Sequence, residues 1–239
     1  MNVEVVLLPR DLKPGQLKGR ACAVFDVLRA TTTITAALAA GVNEIRLFGE
    51  LDSARKAAGE FTGGAKLLCG ESRCLMPDGF NLGNSPGQFT SEHRGATAFM
   101  STTNGTRALL ASAEADVVFP AALINASAIA HALRETKRDV TLLCAGTDGE
   151  IAMEDVLGAG AVLDSLHATL SNDAALMAHQ LFHSARADLP RILRQCEGGK
   201  NILVAKLDED IDFAARLNSL DVVGVATGNP PIVRLQSHE

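Results

Sequence analysis

The chain has no tryptophan, no tyrosine and only nine phenylalanines among its 239 residues. Its core must therefore be built mainly from aliphatic side chains and alanine, which suits helices packed closely on a sheet. Basic residues are also fewer than acidic ones, so the net charge is −6 at pH 7. Nucleic-acid-binding domains normally carry a basic face, so we expect no nucleic-acid partner. A small anion can still be bound by local arginines and backbone N–H groups.

Cysteine is scarce and odd in number, with five residues, and no second pair completes a zinc-type spacing. Most of the cysteines lie in apolar runs, which favours reduced, buried thiols over a disulfide framework. No apolar run reaches the ~18 residues that a membrane helix needs. The start of the chain also has no basic region of the kind found in signal peptides. We therefore expect a soluble cytoplasmic protein with no membrane partner.

Several sequence signatures of phosphate and ester chemistry are missing. A cysteine phosphatase needs five residues and then an arginine after its cysteine, but Cys22 has Leu28 at that position and Arg29 one residue later. The chain has no G-x-x-x-x-G-K-[ST] phosphate loop, no G-x-G-x-x-G turn opening a helix after a strand, and no G-x-S-x-G elbow. An aspartyl-phosphate enzyme of the haloacid dehalogenase type would carry a second aspartate two residues after Asp26, where Leu28 stands.

The clearest organisation in the chain lies at residues 22–38. An apolar run at 21–25 predicts a buried strand, and residues 31–40 predict a helix that threonine hydroxyls can cap. The loop between the strand and the helix holds Asp26 and Arg29. Open α/β proteins place their chemistry at such a strand end, facing a helix N-terminus. A purely structural ion pair is the alternative interpretation.

Predicted strands and helices alternate along the chain, which indicates the α/β class. We expect a layered α/β/α arrangement around a mainly parallel or mixed sheet, with residues 172–218 mostly helical and a hairpin-like strand pair at 221–226 and 232–235. Residues 1–239 are interpreted as one domain. Two similar α/β lobes, about 1–115 and 116–239, are the alternative.

A second strand–turn–helix pattern follows at residues 96–108. Asn104 and Gly105 allow positive φ, so that adjacent amides can form an anion-binding nest. Hydroxyl groups and an arginine fork in the same turn can bind phosphate or sulfonate oxygens. These groups belong to Thr102, Thr103, Thr106 and Arg107.

Acidic residues are dense after the predicted strand at 140–144. Four carboxylates fall within eight residues: Asp148, Glu150, Glu154 and Asp155. The macrodipole favours acids in a first helical turn, so some of them are structural, but four exceed what capping requires. Oxygen ligands beside a phosphate pocket are typical of Mg²⁺.

Two further features allow alternatives. Residues 72–94 form a loop of more than twenty residues, which is usually functional or disordered; its low charge favours order, and an ordered loop without chemistry is the alternative. The histidines lie among surface polar residues. We interpret His167, His179, His183 and His238 as solvated or packing residues, with metal ligation as the alternative.

Five segments carry a resemblance to a known family: D-V-L-R-A-T at 26–31, G-E at 70–71, N-S-P at 84–86, T-T-N-G-T-R-A at 102–108, and A-G-T-x-G-E with E-D at 145–155. They resemble the 2-phosphosulfolactate phosphatase (ComB) family, and the similarity runs through essentially the whole chain. Only the end, T-G-N-P-P-I-V-R-L, departs from the pattern. The resemblance implies an α/β fold, a Mg²⁺ requirement and hydrolysis of 2-phospho-3-sulfolactate to 3-sulfolactate and phosphate, a step toward coenzyme M.

The residue patterns and the resemblance together give candidate roles. The expected catalytic residues are Asp26, Arg29, Asn104 and Arg107. The expected substrate-binding residues are Thr31, Asn84, Ser85, Thr103, Gly105 and Thr106. The expected Mg²⁺ ligands are drawn from Asp26, Glu71, Glu150 and Asp155. We favour Asp26 as a metal ligand over a nucleophile, because Leu28 cannot supply the acid that a nucleophilic carboxylate usually needs nearby.

Two other functions stay open at the level of sequence. A Mg²⁺-dependent phosphatase could act on another small anionic 2-phospho acid, since a family does not fix its substrate. Alternatively, a non-catalytic protein could use the same fold to bind a small phosphorylated or sulfonated anion. The intact acidic set argues against the second function. A homo-oligomer is compatible with either.

Overall fold

The structure is a computed structural model that describes residues 1–236, so His238 lies outside the described residues. Its strands are β1 (Asn2–Val6), β2 (Ala21–Phe25), β3 (Glu44–Phe48), β4 (Lys66–Gly70), β5 (Thr97–Ser101), β6 (Val117–Ala121), β7 (Val140–Cys144), β8 (Thr169–Leu170), β9 (Gly224–Thr227) and β10 (Ile232–Leu235). Its α-helices are α1 (Ala30–Ala39), α2 (Leu51–Glu60), α3 (Gly105–Ala111), α4 (Ala126–Glu135), α5 (Met153–Leu166), α6 (Asp173–Ala185), α7 (Leu189–Gln195), α8 (Glu197–Val204) and α9 (Asp208–Ala214).

The strands form one mixed sheet in the order β4-β5-β3-β10-β9-β6-β2-β7-β1-β8. Two parallel groups, β4-β5-β3 and β6-β2-β7-β1-β8, are joined by the antiparallel pair β9 and β10. The predicted α/β class is therefore confirmed, as are the C-terminal hairpin and the helical character of residues 172–218. Because β1 and β2 lie beside β6 and β7, a boundary near residue 115 does not divide the sheet. The single domain stays a prediction.

Helices cover both faces of the sheet around two apolar cores. Alternate residues of β2 point to opposite faces: Phe25 contributes to a core shared with α4, α5 and α6, whereas Val24 contributes to a core shared with α1 and α3. The second core also takes Ile45 of β3 and Met100 of β5. This core therefore receives side chains from both parallel groups of the sheet as well as from α1 and α3.

Helix α1 is buried almost throughout, although four of its residues are threonines. Three of their hydroxyls donate to backbone carbonyls of the preceding turn, over 2.7–2.8 Å, and so lose no hydrogen bond on burial. The hydroxyl of Thr33 instead donates to the Asn84 carbonyl at 2.9 Å. This bond ties the long loop to the start of α1.

The long loop is ordered and contains two short 3₁₀ helices, Pro86–Gln88 and Ser91–His93. Backbone hydrogen bonds from Asn81 N–H to Leu68 C=O and from Gly70 N–H to Gly83 C=O hold it along β4. Within residues 1–236, no helix is long and apolar enough to cross a membrane.

Candidate active site

A cavity of about 630 Å³ lies where the segments after β2, β4, β5 and β7 meet α8. Six of the residues predicted from sequence line it: Asp26, Arg29, Glu71, Asn84, Thr103 and Asn104. The volume falls within the range of small-molecule sites. The structure therefore brings together motifs that are up to 78 residues apart in the chain, from position 26 to position 104.

Asp26 is the first residue after β2, and its carboxylate faces the cavity. Its Oδ1 accepts a hydrogen bond from Ala30 N–H at 3.1 Å. The start of α3 approaches the other oxygen so closely that a Cβ on Gly105 would lie 2.6 Å from Oδ2. Burial raises the pKa of Asp26 to about 7, and the nearby Glu71 and Glu154 add to that rise.

Glu71 fixes the position of two other segments of the site. Its Oε1 accepts from Thr103 N–H at 2.7 Å, and its Oε2 accepts from Cys74 N–H at 2.8 Å. The preceding Gly70 has φ +143°, and a Cβ there would lie 2.0 Å from the Ser101 carbonyl oxygen. Only glycine allows β4 to end this close to β5.

Asp155 and Glu154, at the start of α5, form the buried floor of the acidic group. Asp155 accepts from Val27 N–H at 2.8 Å and from Gly146 N–H at 3.0 Å, which joins the loops after β2 and β7. Glu154 is 1% exposed, and its carboxylate lies against Cys196 and Gly198 at the start of α8; no hydrogen bond of standard geometry to either oxygen is present among the described residues. Burial raises the pKa of both carboxyl groups, and Asp26 raises that of Asp155 further.

Arg29 is the buried cation of the site, with 3% of its side chain exposed. Its Nη1 donates to Asp210 Oδ2 at 2.7 Å and to Ser85 Oγ at 3.2 Å, and its Nη2 donates to the Cys74 carbonyl at 2.7 Å. The Ser85 hydroxyl donates to the same Asp210 oxygen. Arg29 thus forms its ion pair with Asp210 on α9, and the alternative of a structural ion pair within its own loop, with Asp26, is not what the structure shows.

Several predicted site residues support the cavity without lining it. Thr31 exchanges hydrogen bonds with the backbone of Asp26, and Thr106 does the same with Thr102. Ser85 binds the Arg29–Asp210 pair, as described above. Asn104, which does line the cavity, has φ −115°, and Gly105 begins α3 without a positive φ, so the expected anion nest is wrong. Gly105 is needed for close packing instead.

The structure does not bring Arg107 or Glu150 to the cavity. Arg107 lies on the outer face of α3, with 60% of its side chain exposed, and its Nη2 is 3.4 Å from Glu50 Oε1. Glu150 is exposed in the turn before α5 and does not line the cavity. The expectation that Arg107 contacts substrate therefore has no support in this geometry.

Sequence reasoning missed three residues at the cavity, Arg73, Cys74 and Asn201, and it counted Asp148 in the acidic cluster without naming it as a ligand. Arg73 is exposed at the rim, and it forms no ion pair with any residue in the described range. Its position two residues after Glu71 is a usable sequence signal, because the loop must pass the strand end. Asn201, on α8, has no local signal.

The fold and the cavity are those of an α/β enzyme in which buried acids and one buried arginine, Arg29, surround a small-molecule site with the exposed Arg73 at its rim. The family model described as 2-phosphosulpholactate phosphatase matches residues 6–229. The chain belongs to this family, which makes it a phosphoric monoester hydrolase.

Curated relatives agree over nearly their whole length. A protein of Synechococcus sp. (strain JA-3-3Ab), named probable 2-phosphosulfolactate phosphatase, is 42% identical over 223 residues, or 90% of this chain and 91% of its own. Proteins with the same name from Symbiobacterium thermophilum and Clostridium botulinum are 35% and 30% identical over 217 and 234 residues. They cover 89% and 96% of this chain, and 93% and 98% of their own.

Proposed function

We propose that this phosphatase hydrolyses 2-phospho-3-sulfolactate to 3-sulfolactate and phosphate. The observation that carries the proposal is the convergence of the family-type motifs at one cavity of about 630 Å³. The residues that meet there are Asp26, Arg29, Glu71, Thr103 and Asn104. The names of the relatives support the same substrate.

Recognition of this substrate requires donors for three anionic groups, a phosphate, a carboxylate and a sulfonate. Arg29 uses three N–H groups within the protein, so two of the five in its guanidinium are left for a ligand. Arg73 at the rim offers a second guanidinium, and Asn104 offers a side-chain amide. Arginine forks fit phosphate and sulfonate oxygens because they can donate two parallel hydrogen bonds.

The donor set has the chemistry that Mg²⁺ prefers, because this ion takes one or two carboxylate oxygens and keeps several waters. Among the described residues, no three of these carboxylates bring their oxygens within 4.8 Å of one another, so one or two of them would hold the ion together with water. Asp26 lines the cavity, and buried Glu154 is close enough to it to raise its pKa further. Several ionised carboxylates buried together are costly, so a bound divalent ion would offset this cost. The ligands are expected from among Asp26, Glu71 and Asp155, and buried Glu154 adds negative charge nearby. A bound Mg²⁺ would supply charge neutralisation at the phosphoryl oxygens.

Within this proposal, Asp26 acts as a metal ligand rather than as a nucleophile. The position that supplies the acid in dehalogenase-type enzymes is Leu28, an apolar residue that lines the same cavity. Arg29 and Asn104 then hold the phosphoryl group for attack by water, which needs positioning and charge stabilisation but no covalent intermediate.

The test is phosphate release from 2-phosphosulfolactate, measured with Mg²⁺ and after exhaustive chelation. We expect activity that is lost on chelation and restored by Mg²⁺. A 2-phospho acid of the same length without the sulfonate is the matched control, and it should be hydrolysed less efficiently. Equal turnover of the two compounds would remove the sulfonate from the proposal. Full activity after chelation would show that the reaction does not require Mg²⁺.

A further inference from the structure

Three side chains with metal-binding atoms converge on the surface of α5 and α6, away from the cavity. They are Asp164, His179 and His183, and one ligand atom from each lies within 4.8 Å of the other two. We infer that they form a binding site for a divalent transition-metal ion of the zinc type. The phosphatase reaction proposed above makes no use of these residues.

The distances between the ligand atoms match a tetrahedral site. His183 Nε2 lies 3.0 Å from Asp164 Oδ1 and 3.2 Å from His179 Nε2, and His179 Nε2 lies 4.0 Å from the same Asp164 oxygen. Zinc bonds of about 2.0–2.1 Å place tetrahedral ligands about 3.3 Å apart. The two separations from His183 Nε2 agree closely with this value. The separation between His179 Nε2 and Asp164 Oδ1 is longer, and a small side-chain rotation of His179 would shorten it.

The chemistry of the ligands selects the class of ion. His179 and His183 are four residues apart, so both imidazoles project from one face of α6. Two imidazoles with one carboxylate suit Zn²⁺, whereas Mg²⁺ prefers oxygen ligands alone. The side chains of Asp164, His179 and His183 are 30%, 28% and 42% exposed, which leaves room for an ion to enter and for water to complete its coordination.

The packing of the two helices holds the three residues in place. A Cβ on Gly160 would lie 2.2 Å from the Ala178 carbonyl oxygen and 2.6 Å from Phe182 Cβ, so glycine lets α5 and α6 approach each other. Asp164 follows Gly160 by one helical turn, and the histidines directly follow Ala178 and Phe182.

An arginine orients the carboxylate of this group. Arg186 Nη1 lies 3.6 Å from Asp164 Oδ2, and the other oxygen, Oδ1, faces the imidazoles. Partners of this kind fix the orientation of a metal ligand. Under this inference, His179 and His183 act as metal ligands, the alternative that the sequence left open, rather than as solvated or packing residues. The metal-free alternative is a hydrogen bond between the two imidazoles at 3.2 Å together with the contact of His183 Nε2 with Asp164 Oδ1 at 3.0 Å.

The test is a calorimetric titration of the metal-free, full-length chain with Zn²⁺ in a large excess of Mg²⁺, which occupies oxygen-rich sites. We expect one Zn²⁺ per chain and a higher Tm in its presence, because an ion that binds only the folded state stabilises it. Loss of a residue that merely hydrogen-bonds a metal ligand costs about 10–100-fold in metal affinity. Loss of a ligand itself should cost at least as much, so His183→Gln and Asp164→Asn should each weaken Zn²⁺ binding by at least about tenfold.

The matched control is His131→Gln, which alters an exposed histidine on neighbouring α4 and should bind Zn²⁺ like the unaltered chain. Circular dichroism without metal checks that each variant is folded, and His179→Gln replaces any variant that is not. Zn²⁺ binding that survives the loss of these ligands would overturn the inference. So would the absence of Zn²⁺ binding in excess Mg²⁺.

Discussion

Removal of Asp210 should destabilise the protein strongly, because it leaves a buried arginine without its counter-ion. Asp210 is 6% exposed and its Oδ2 lies 2.7 Å from Arg29 Nη1. The same oxygen accepts the Ser85 hydroxyl at 2.7 Å. In Asp210→Ala, both donors lose their acceptor while remaining inside the protein.

The magnitude follows from this burial. Breaking a buried ion pair by removing one partner costs about 3–5 kcal/mol of unfolding free energy. For a chain of this size each kcal/mol lowers Tm by roughly 2–4 °C, so Tm should fall by roughly 6–20 °C. Urea denaturation should show a lower midpoint with an unchanged m value, since the surface exposed on unfolding is the same.

Asp212→Ala is the matched control on the same helix. Asp212 pairs with Arg194 at 2.8 Å, but the two side chains are 52% and 34% exposed. An exposed pair contributes about 0–1 kcal/mol. The double variant Arg29→Met with Asp210→Ala should lose less stability than the sum of its single variants, because no unpaired charge is left buried. Equal, small losses in Asp210→Ala and Asp212→Ala would refute the reasoning.

Other predictions test the cavity directly. Arg73→Ala should lower kcat/KM for 2-phosphosulfolactate by about tenfold, because it removes one charge-assisted contact worth roughly 1.5–3 kcal/mol. Arg107 lies outside the cavity, so Arg107→Ala should leave steady-state kinetics nearly unchanged. A larger loss in Arg107→Ala than in Arg73→Ala would contradict this placement. Iodoacetamide at pH 8 should modify Cys74 before the other thiols, as followed by peptide mass spectrometry, since Cys74 alone among the five is half-buried. Burial raises the pKa of Cys74, and raises those of Cys22 and Cys69 to about 12, so labelling of all three should speed up as pH rises and deprotonates more thiol. Inorganic phosphate should slow the labelling of Cys74, which lines the cavity; modification of Cys22 or Cys69 at an equal rate would show that these thiols are not buried. A chiral, isotopically labelled phosphate ester should be hydrolysed with inversion at phosphorus, and retention would indicate Asp26 as a nucleophile instead.

Local patterns in the sequence were sufficient for the fold class and for part of the site. The alternation of predicted strands and predicted helices indicates the α/β class. A polar motif that directly follows an apolar run is predicted to lie at the end of a strand. Asp26, Glu71 and Thr103 were found in this way, and all three line the cavity. This reasoning succeeds because the residue at a strand end is fixed by the strand itself.

The side of a helix that faces the cavity was decided only by tertiary packing. In α3, Thr106 and Ala108 are buried while Arg107 between them is exposed. In the same way, Glu154 is buried at the first turn of α5, and Glu150 stays in the preceding turn at the surface. Both acids are equally plausible ligands in the sequence, because their burial depends on where the helix begins and what packs on it.

Contacts between distant segments were also beyond the sequence. Arg29 and Asp210 are 181 residues apart, and Asp164 and His183 lie on different helices. Neither pair has a local signature, since ordinary acidic and basic residues occur throughout an exposed helix surface. The sequence determined which chemical groups follow each strand. The packing of α1 against both parallel groups of the sheet and the close approach of α5 to α6 at Gly160 decided which groups meet, because only packing of the whole chain brings these backbones within contact distance.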